Sequence, residues 1–173
     1  MHGLSLAVGV AIARGLATLG CNTIRLKWPN DIWLNDAKLG GVLVETAAQG
    51  ALVIGIGLNL RRDPAWQGDI DQAFTALQDA LPEPPAREAV LAAILQALAD
   101  ALDSFAREGF APLHMAWCER NALLDRHIRV SSETMQESGI CGQVNAQGAL
   151  VLHRPGQPEL LIHHGDVSLR LEP

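Results

Sequence analysis

Only two lysines occur in the chain, against eleven arginines, and both lie in one short polar stretch. Lys27 opens the run Lys27-Trp28-Pro29-Asn30-Asp31, and Lys38 stands just before Gly40-Gly41. Lysine supplies a compact, rotatable point charge where arginine supplies a planar fork. Two such charges could stabilise negative charge that develops in a reaction. The alternative, that both are solvated residues beside turns, stays open at this point.

A second candidate lies in the run from residue 53 to residue 59, which reads as a strand with two glycines. By strand alternation Val53, Gly55, Gly57 and Asn59 share one face. Glycines weaken a strand, so a shared glycine face usually serves the close approach of a ligand or another backbone. Asn59 adds a hydrogen-bond donor and an acceptor at its end. Packing of a bulky side chain against the glycines is the alternative.

Other motifs of catalysis are absent from the sequence. Gly55-Ile56-Gly57 lies inside a strand and lacks a third glycine, so it is no dinucleotide fingerprint, and no phosphate loop, HExxH or GxSxG occurs. The six histidines show no ligand spacing, and His163-His164 would point to opposite faces of a strand. We interpret the histidines as structural or surface residues, and Trp66 and Trp117 as packing residues.

Composition narrows the class of protein. Hydrophobic residues make up 49% and charged residues 18%, which is typical of a globular protein, and the net charge of −6 argues against general nucleic-acid binding. The apolar run Leu4–Leu19 is interrupted by Arg14, which favours a core helix over a signal peptide or membrane span. Three distant cysteines suggest neither a zinc site nor a disulfide framework, and we expect a cytoplasmic protein.

Short strands joined by tight turns follow the first helix. The pattern predicts strands at 21–28, 32–34, 38–46 and 51–60, with turns at Asn35-Asp36 and Gln49-Gly50. Strands joined by such turns must pair antiparallel, so no βαβ unit is expected.

Helices and then a second group of strands complete the chain. Apolar spacing predicts helices at 70–81, 86–107 and 112–121, with a proline-rich break at 82–85. Later strands are predicted at 127–132, 138–144, 149–153 and 160–171, which suggests a small barrel. We therefore expect an α+β core over residues 1–120, with a mixed or antiparallel sheet, and a second domain over 126–173.

Three motifs in this order and spacing closely resemble the biotin–protein ligase family. They are Lys27-Trp28-Pro29-Asn30-Asp31, Lys38-Leu39-Gly40-Gly41-Val42-Leu43-Val44-Glu45 and Gly55-Ile56-Gly57-Leu58-Asn59. The ending Gly165-Asp166-Val167-Ser168-Leu169-Arg170 is similar to the family's C-terminal domain. The resemblance implies a class II aminoacyl-tRNA synthetase/biotin ligase-like core followed by a small SH3-like β-barrel.

The resemblance also implies an activity. Such enzymes join biotin to ATP, with Mg²⁺, to give biotinyl-5′-adenylate, and transfer the biotinyl group to a lysine of the biotin carboxyl carrier protein of acetyl-CoA carboxylase. By this resemblance Lys38 is the catalytic residue and contacts the biotin carboxylate and the acyl-phosphate region. Lys27, Asn30 and Asp31 would form a polar wall near phosphate and metal.

The remaining site residues implied by the resemblance line the ligand from two sides. Gly41 would approach biotin, with Gly55 and Gly57 on the sheet face that the ligand covers. Asn59 would approach the adenylate, and Arg170 would reach the nucleotide from the small domain.

One departure from the family pattern limits these expectations. A Gly-Arg-Gly-Arg loop precedes the first helix in this family, and nothing in the sequence matches it or a DNA-binding helix-turn-helix domain. We therefore expect an N-terminally truncated ligase that binds biotin and ATP weakly. The alternatives are an incomplete fragment that dimerises or holds the carrier protein, and a transcriptional repressor, which the missing DNA-binding domain disfavours.

Overall fold

The structure is a computed structural model that describes residues 3–62, 73–81, 83–132, 135–163 and 168–171. Three α-helices and nine strands lie in these ranges. The helices are α1 (Leu4–Thr18), α2 (Arg87–Glu108) and α3 (His114–Cys118). The strands are β1 (Arg25–Lys27), β2 (Asp31–Leu34), β3 (Ala37–Thr46), β4 (Leu52–Leu58), β5 (His127–Ser131), β6 (Gln136–Val144), β7 (Leu150–His153), β8 (Leu160–Ile162) and β9 (Ser168–Leu171).

Helix α1 forms the centre of the core, as its apolar sequence predicts. It is buried on nearly every face and ends before Gly20, whose φ of 92° suits glycine. Gly15 allows close packing on α2, because a Cβ there would lie 2.8 Å from the Ala93 carbonyl oxygen. The helix therefore ties α2 to the sheet that carries the site.

The first sheet has the order β1-β2-β3-β4, and every neighbouring pair is antiparallel. Asn35 and Asp36 adopt φ values of 51° and 57°, the left-handed pair of a two-residue hairpin turn. Gln49 and Gly50 adopt φ values of 61° and 78° at the β3–β4 turn. The predicted turns and antiparallel pairing are confirmed, although β1 is only three residues long.

The predicted helix at 70–81 is wrong over residues 73–81, which the structure describes, and residues 70–72 lie outside the described ranges. Residues 73–75 run beside Lys38 instead: the Lys38 amide donates to Ala73 O at 3.0 Å, and the Thr75 amide donates to Lys38 O at 2.9 Å. Only Leu77–Asp79 forms a 3-10 turn. Pairing of the backbone with the sheet overrides the helical spacing of these side chains.

The other two predicted helices are confirmed in place, but only α2 also has the predicted length. Helix α2 ends at Gly109 as predicted, whereas α3 covers only five residues after a 3-10 turn at Ala111–Leu113. By length and composition α2 is the one described helix that could cross a membrane, yet its Val90, Ile94 and Ala101 pack into the core.

The second sheet is antiparallel with the order β8-β7-β6-β5-β9. It is fastened to the first sheet at several points. The Trp28 Nε1 donates to Gly148 O at 3.0 Å in a buried contact. Asn121 is 2% exposed, and its side-chain amide donates to Gly142 O at 3.0 Å. The backbone carbonyl of Asn121 accepts from the Arg25 guanidinium at 2.7 Å. These bonds hold β9 in reach of the first sheet.

Two glycines of the first sheet should respond to substitution with very different changes in stability. A Cβ at Gly40 would overlap the Gly57 carbonyl oxygen and lie 2.7 Å from Leu58 Cδ2, whereas a Cβ at Gly57 meets nothing within 4 Å. We expect Gly40→Ala to lower the free energy of unfolding by about 2 kcal/mol or more, since overpacking strains the backbone. Gly57→Ala should change it by less than about 1 kcal/mol. Urea unfolding tests this, and equal effects would contradict the register described here.

Candidate functional site

One row of paired residues crosses all four strands of the first sheet. Lys27 pairs with Asp31, Asp31 pairs with Gly41, and Gly41 pairs with Gly57. Directly opposed residues of antiparallel strands have neighbouring side chains on the same face. Motifs that lie up to 30 positions apart in sequence therefore meet on one surface.

The Asp31 carboxylate lies between both lysines of the chain. Lys38 Nζ is 2.5 Å from Asp31 Oδ1, and Lys27 Nζ is 3.5 Å from Asp31 Oδ2. The side chains of Lys27 and Asp31 are 12% exposed, and that of Lys38 is 38% exposed. Two ammonium groups and one carboxylate leave an excess positive charge, so the cluster favours an anionic ligand.

Burial sets the protonation behaviour of Lys27. Desolvation lowers the pKa of Lys27 from its ordinary value, and the nearby charges of Lys38 and Arg170 lower it as well, while Asp31 opposes the shift. Arg170 belongs to strand β9, so a charge of the second sheet acts on Lys27. The second sheet therefore contributes positive charge near Lys27.

The glycine face is open. Strand β4 alternates between half-buried and exposed residues, with Gly55 and Gly57 exposed. A Cβ at Gly57 would meet nothing within 4 Å, so no bulky side chain of the described chain packs there. Leu43 and Val53, on the same face, are 57% and 54% exposed. This apolar surface beside the cations could cover the apolar part of a ligand.

Gly41 links the open face to the charges. A Cβ on Gly41 would lie 3.6 Å from Asp31 Oδ1 and 3.7 Å from Lys38 Cε, with Asn30 O also 3.6 Å away. These are ordinary contact distances, so the position is uncrowded in the protein alone. A side chain here would occupy space between the lysine pair and the glycine face.

Both asparagines of the predicted site serve the backbone. Asn30 Nδ2 donates to Val42 O at 2.9 Å, and the Val42 amide donates back to Asn30 O at 2.9 Å. Asn59 Nδ2 donates to Thr75 O at 3.1 Å. These bonds fix the loop before β2 and the end of β4.

Sequence reasoning missed Trp33, which belongs to the same face. Lys27 Nζ lies 5.2 Å from the centroid of the Trp33 ring, and Trp33 is 6% exposed. Strand alternation from Asp31 would have placed it there. The sequence also missed the 73–75 segment, whose backbone bonds position Lys38.

The side chains of His114 and Cys118 contact each other and strand β6 of the second sheet. His114 Nε2 is 2.7 Å from Val144 O and 3.3 Å from Cys118 Sγ. Trp117 is 1% exposed, which confirms its packing role, and Trp66 lies outside the described residues. Over the described ranges no group of three metal-ligating side chains occurs.

The thiols should differ in reactivity because burial disfavours the thiolate. Burial raises the pKa of Cys141 to about 12, and Cys141 is 1% exposed. Cys21 is also buried, whereas Cys118 is partly exposed. We expect a disulfide reagent at pH 8 to modify Cys118 first in the native protein, and all three thiols in urea. Rapid modification of Cys141 in the native state would contradict this arrangement.

The family resemblance implies Mg²⁺, which needs carboxylate oxygens that are free to bind it. Asp31 is the one carboxylate of the cluster, and both its oxygens already face ammonium groups. Mg²⁺ is usually held by one or two carboxylates together with substrate phosphates. The described cluster therefore does not fit a protein-held magnesium ion, and lysines supply its positive charge.

Comparison with known proteins identifies the family. The profile of the biotin/lipoate A/B protein ligase family matches residues 2–119. The bifunctional ligase/repressor BirA of Escherichia coli K12 is 33% identical over 97% of this chain, which spans 53% of the length of that relative. A biotin–[acetyl-CoA-carboxylase] ligase of Paracoccus denitrificans is 30% identical over 91% of this chain and 69% of its own length.

Solved structures show the same fold. The apo structure of biotin protein ligase from Aquifex aeolicus superposes with a TM-score of 0.89, at 23% identity, over 99% of this chain and 76% of that one. The complex of that ligase with biotin and ATP gives 0.88 at 24% identity, over 99% and 72%. With the profile covering most of its length, the chain belongs to the biotin/lipoate A/B protein ligase family.

Proposed function

We propose that the chain is the part of a biotin–protein ligase that carries the lysine pair and the glycine face. The observation that supports this most is the row from Lys27 to Gly57, which sets excess positive charge beside an open apolar surface. Biotin and ATP match the two halves of that surface: an apolar body ending in a carboxylate, and a polyphosphate. The chain spans about half the length of its E. coli relative, so the whole activity is part of this proposal.

The reaction has two steps. A biotin carboxylate oxygen attacks the α-phosphorus of ATP, the bond to the β-phosphate oxygen breaks, and biotinyl-5′-adenylate and pyrophosphate form. A lysine amine of the biotin carboxyl carrier protein then attacks the acyl carbon, loses a proton and releases AMP. Negative charge grows on phosphate oxygens in the first step, and preorganised cations lower its energy. Mg²⁺ would enter with the ATP phosphates.

Residue roles follow from position. Lys38 stabilises the charge that develops at the carboxylate and α-phosphate, while Lys27 and Arg170 bind the nucleotide phosphates. Asp31 holds both lysines, and Asn30 fixes the loop that carries Asp31. On the open glycine face, biotin lies against Gly41, Gly55 and Gly57. Asn59 borders the adenylate. We also assign the second sheet to an SH3-like barrel domain that begins at residue 126.

A second function is favoured by one observation, the exposed apolar face. Leu43 and Val53 lie on the two last strands of the sheet, and β4 has no further neighbour among the described strands. An exposed edge and apolar face suit pairing with another polypeptide. The chain would then act as a dimerisation or carrier-protein-binding module without catalysis of its own.

Biotin-dependent exchange between ATP and labelled pyrophosphate tests the first function. We expect weak exchange by the chain alone, because its glycine face is open to water, which weakens electrostatic interactions. Exchange should rise when the part of the Paracoccus relative that this chain does not match is added. Carrier-protein binding without any exchange, in either form, would favour the module.

A further inference from the structure

Trp33 lies where it can act on one lysine of the cluster. It pairs with Arg25 and with Lys38 across the sheet, and its ring faces the Lys27 ammonium at 5.2 Å. A lysine ammonium within about 6 Å of an indole centroid is attracted by the negative face of the ring, most strongly when both are desolvated. Lys27 and Trp33 meet that condition, with 12% of the side chain and 6% of the residue exposed.

The two lysines contact Asp31 unequally. Lys38 Nζ lies 2.5 Å from the carboxylate, but Lys27 Nζ stays 3.5 Å away, between the carboxylate and the ring. The charged groups around Lys27 are Asp31, Lys38 and Arg170. Repulsion by two cations would displace Lys27, and the ring face and Asp31 are the two contacts that oppose this displacement.

The Trp33 indole carries a buried N–H group that lowers stability when it has no hydrogen-bond acceptor. Within the described chain Trp33 Nε1 is buried and has no hydrogen-bond partner, whereas Trp28 Nε1 donates to Gly148 O at 3.0 Å. A buried donor without an acceptor is unfavourable, and phenylalanine or leucine would avoid it. Apolar packing alone therefore does not explain tryptophan at this position.

We propose that Trp33 is a positioning residue whose indole face holds the Lys27 ammonium away from full contact with Asp31, so that its charge stays available to a phosphate group. This rests on the proposed function for the identity of the ligand, ATP, but not for the contact itself. An arginine in place of Lys27 would adopt a different geometry, because its planar guanidinium group would stack on the ring.

Lysine-selective NMR tests the contact. Protein labelled with [¹³Cε]lysine should give two side-chain signals, one for each lysine, with Lys27 assigned through Lys27→Met. The Hε protons of Lys27 should be shifted upfield by the ring. Trp33→Leu should abolish the shift, and Trp33→Phe should keep most of it. The Lys38 signal reports whether each variant is folded.

Binding of ATP gives the functional readout. Trp33→Leu should weaken ATP binding about fivefold, as expected for the loss of one cation–π contact, and should have no further effect in the Lys27→Met background. A Lys27 Hε shift in the unsubstituted protein equal to that in urea would overturn the proposal. Equal ATP affinity of the unsubstituted protein and a folded Trp33→Leu would overturn it too. If the unsubstituted protein does not bind ATP, the proposed function fails for this chain, and the NMR shift still decides the role of Trp33.

Discussion

Replacement of Lys38 by alanine should slow adenylate formation about a hundredfold, with a smaller effect on ATP affinity, because removing a preorganised charged donor typically costs about 3 kcal/mol in the transition state. The Lys38 ammonium reaches Asp31 and lies along Gly41, at the border of the charged and open regions. The 73–75 segment forms hydrogen bonds with both the backbone amide and the backbone carbonyl of Lys38. A group fixed in this way needs little rearrangement when charge develops.

The measurement is pyrophosphate release at saturating biotin and ATP, in whichever form shows exchange, the chain alone or the complemented chain. Lys38→Arg should restore little, since a planar fork cannot occupy the place of a compact ammonium. Lys27→Ala is the matched variant, because Lys27 contacts the same carboxylate. It should act more through nucleotide affinity. A larger rate loss in Lys27→Ala than in Lys38→Ala would transfer the catalytic role to Lys27.

Local sequence patterns were enough to predict the turns and the antiparallel strands that carry the site. Asn35-Asp36 and Gln49-Gly50 can be read as turns because their residues tolerate positive φ, and the antiparallel order follows from them. Strand alternation then placed Gly55 and Gly57 together on the open face. The juxtaposition of Lys27 with Gly57 needs the register of three strand pairs, which the family motifs implied but no single segment reveals.

Long-range bonds account for what the sequence could not show. Residues 73–81 carry helical spacing, but the Lys38 backbone offers them partners from a distant strand. Asn121 reads as an ordinary polar residue of a domain junction, and it is buried with bonds to both sheets. The sequence did not predict a role for Trp33, because that role depends on the position of the Lys27 side chain.

Replacement of Asp31 by alanine should lower the free energy of unfolding by about 3 kcal/mol at pH 7, since removing one partner of a buried ion pair leaves an uncompensated charge. Lys27, 12% exposed, would keep its ammonium with only Lys38 and Arg170 nearby. Asp31→Asn should cost less, because the amide oxygen still accepts a hydrogen bond. Asp36→Asn is the matched control for Asp31→Asn: it removes the charge of a surface ion pair with Arg126, in which Asp36 is 82% exposed, keeps a residue that tolerates the positive φ of the turn, and should change stability little.

The pH dependence of this loss follows from the direction of the Lys27 shift. Burial lowers the pKa of Lys27, so the folded protein releases this proton at a lower pH than the unfolded chain. The buried charge therefore costs stability in full below the folded pKa, and the cost decreases as the pH rises from the folded pKa to the ordinary value of 10.5. Asp31 raises that pKa, so its removal lowers the pKa further and enlarges the cost near neutral pH.

Urea unfolding of Asp31→Ala and the unsubstituted protein at pH 7 and at pH 9.5 measures both effects. The difference between the two proteins should be greatest at pH 7 and should shrink toward pH 9.5, because the variant has the lower Lys27 pKa and releases this proton at a lower pH than the unsubstituted protein. Lys27→Met in the Asp31→Ala background should remove most of the pH dependence, because the titrating group is gone. An Asp31→Ala protein as stable as the unsubstituted one at pH 7 would mean that Asp31 does not hold the lysines together. The charge balance on which the site rests would then be wrong.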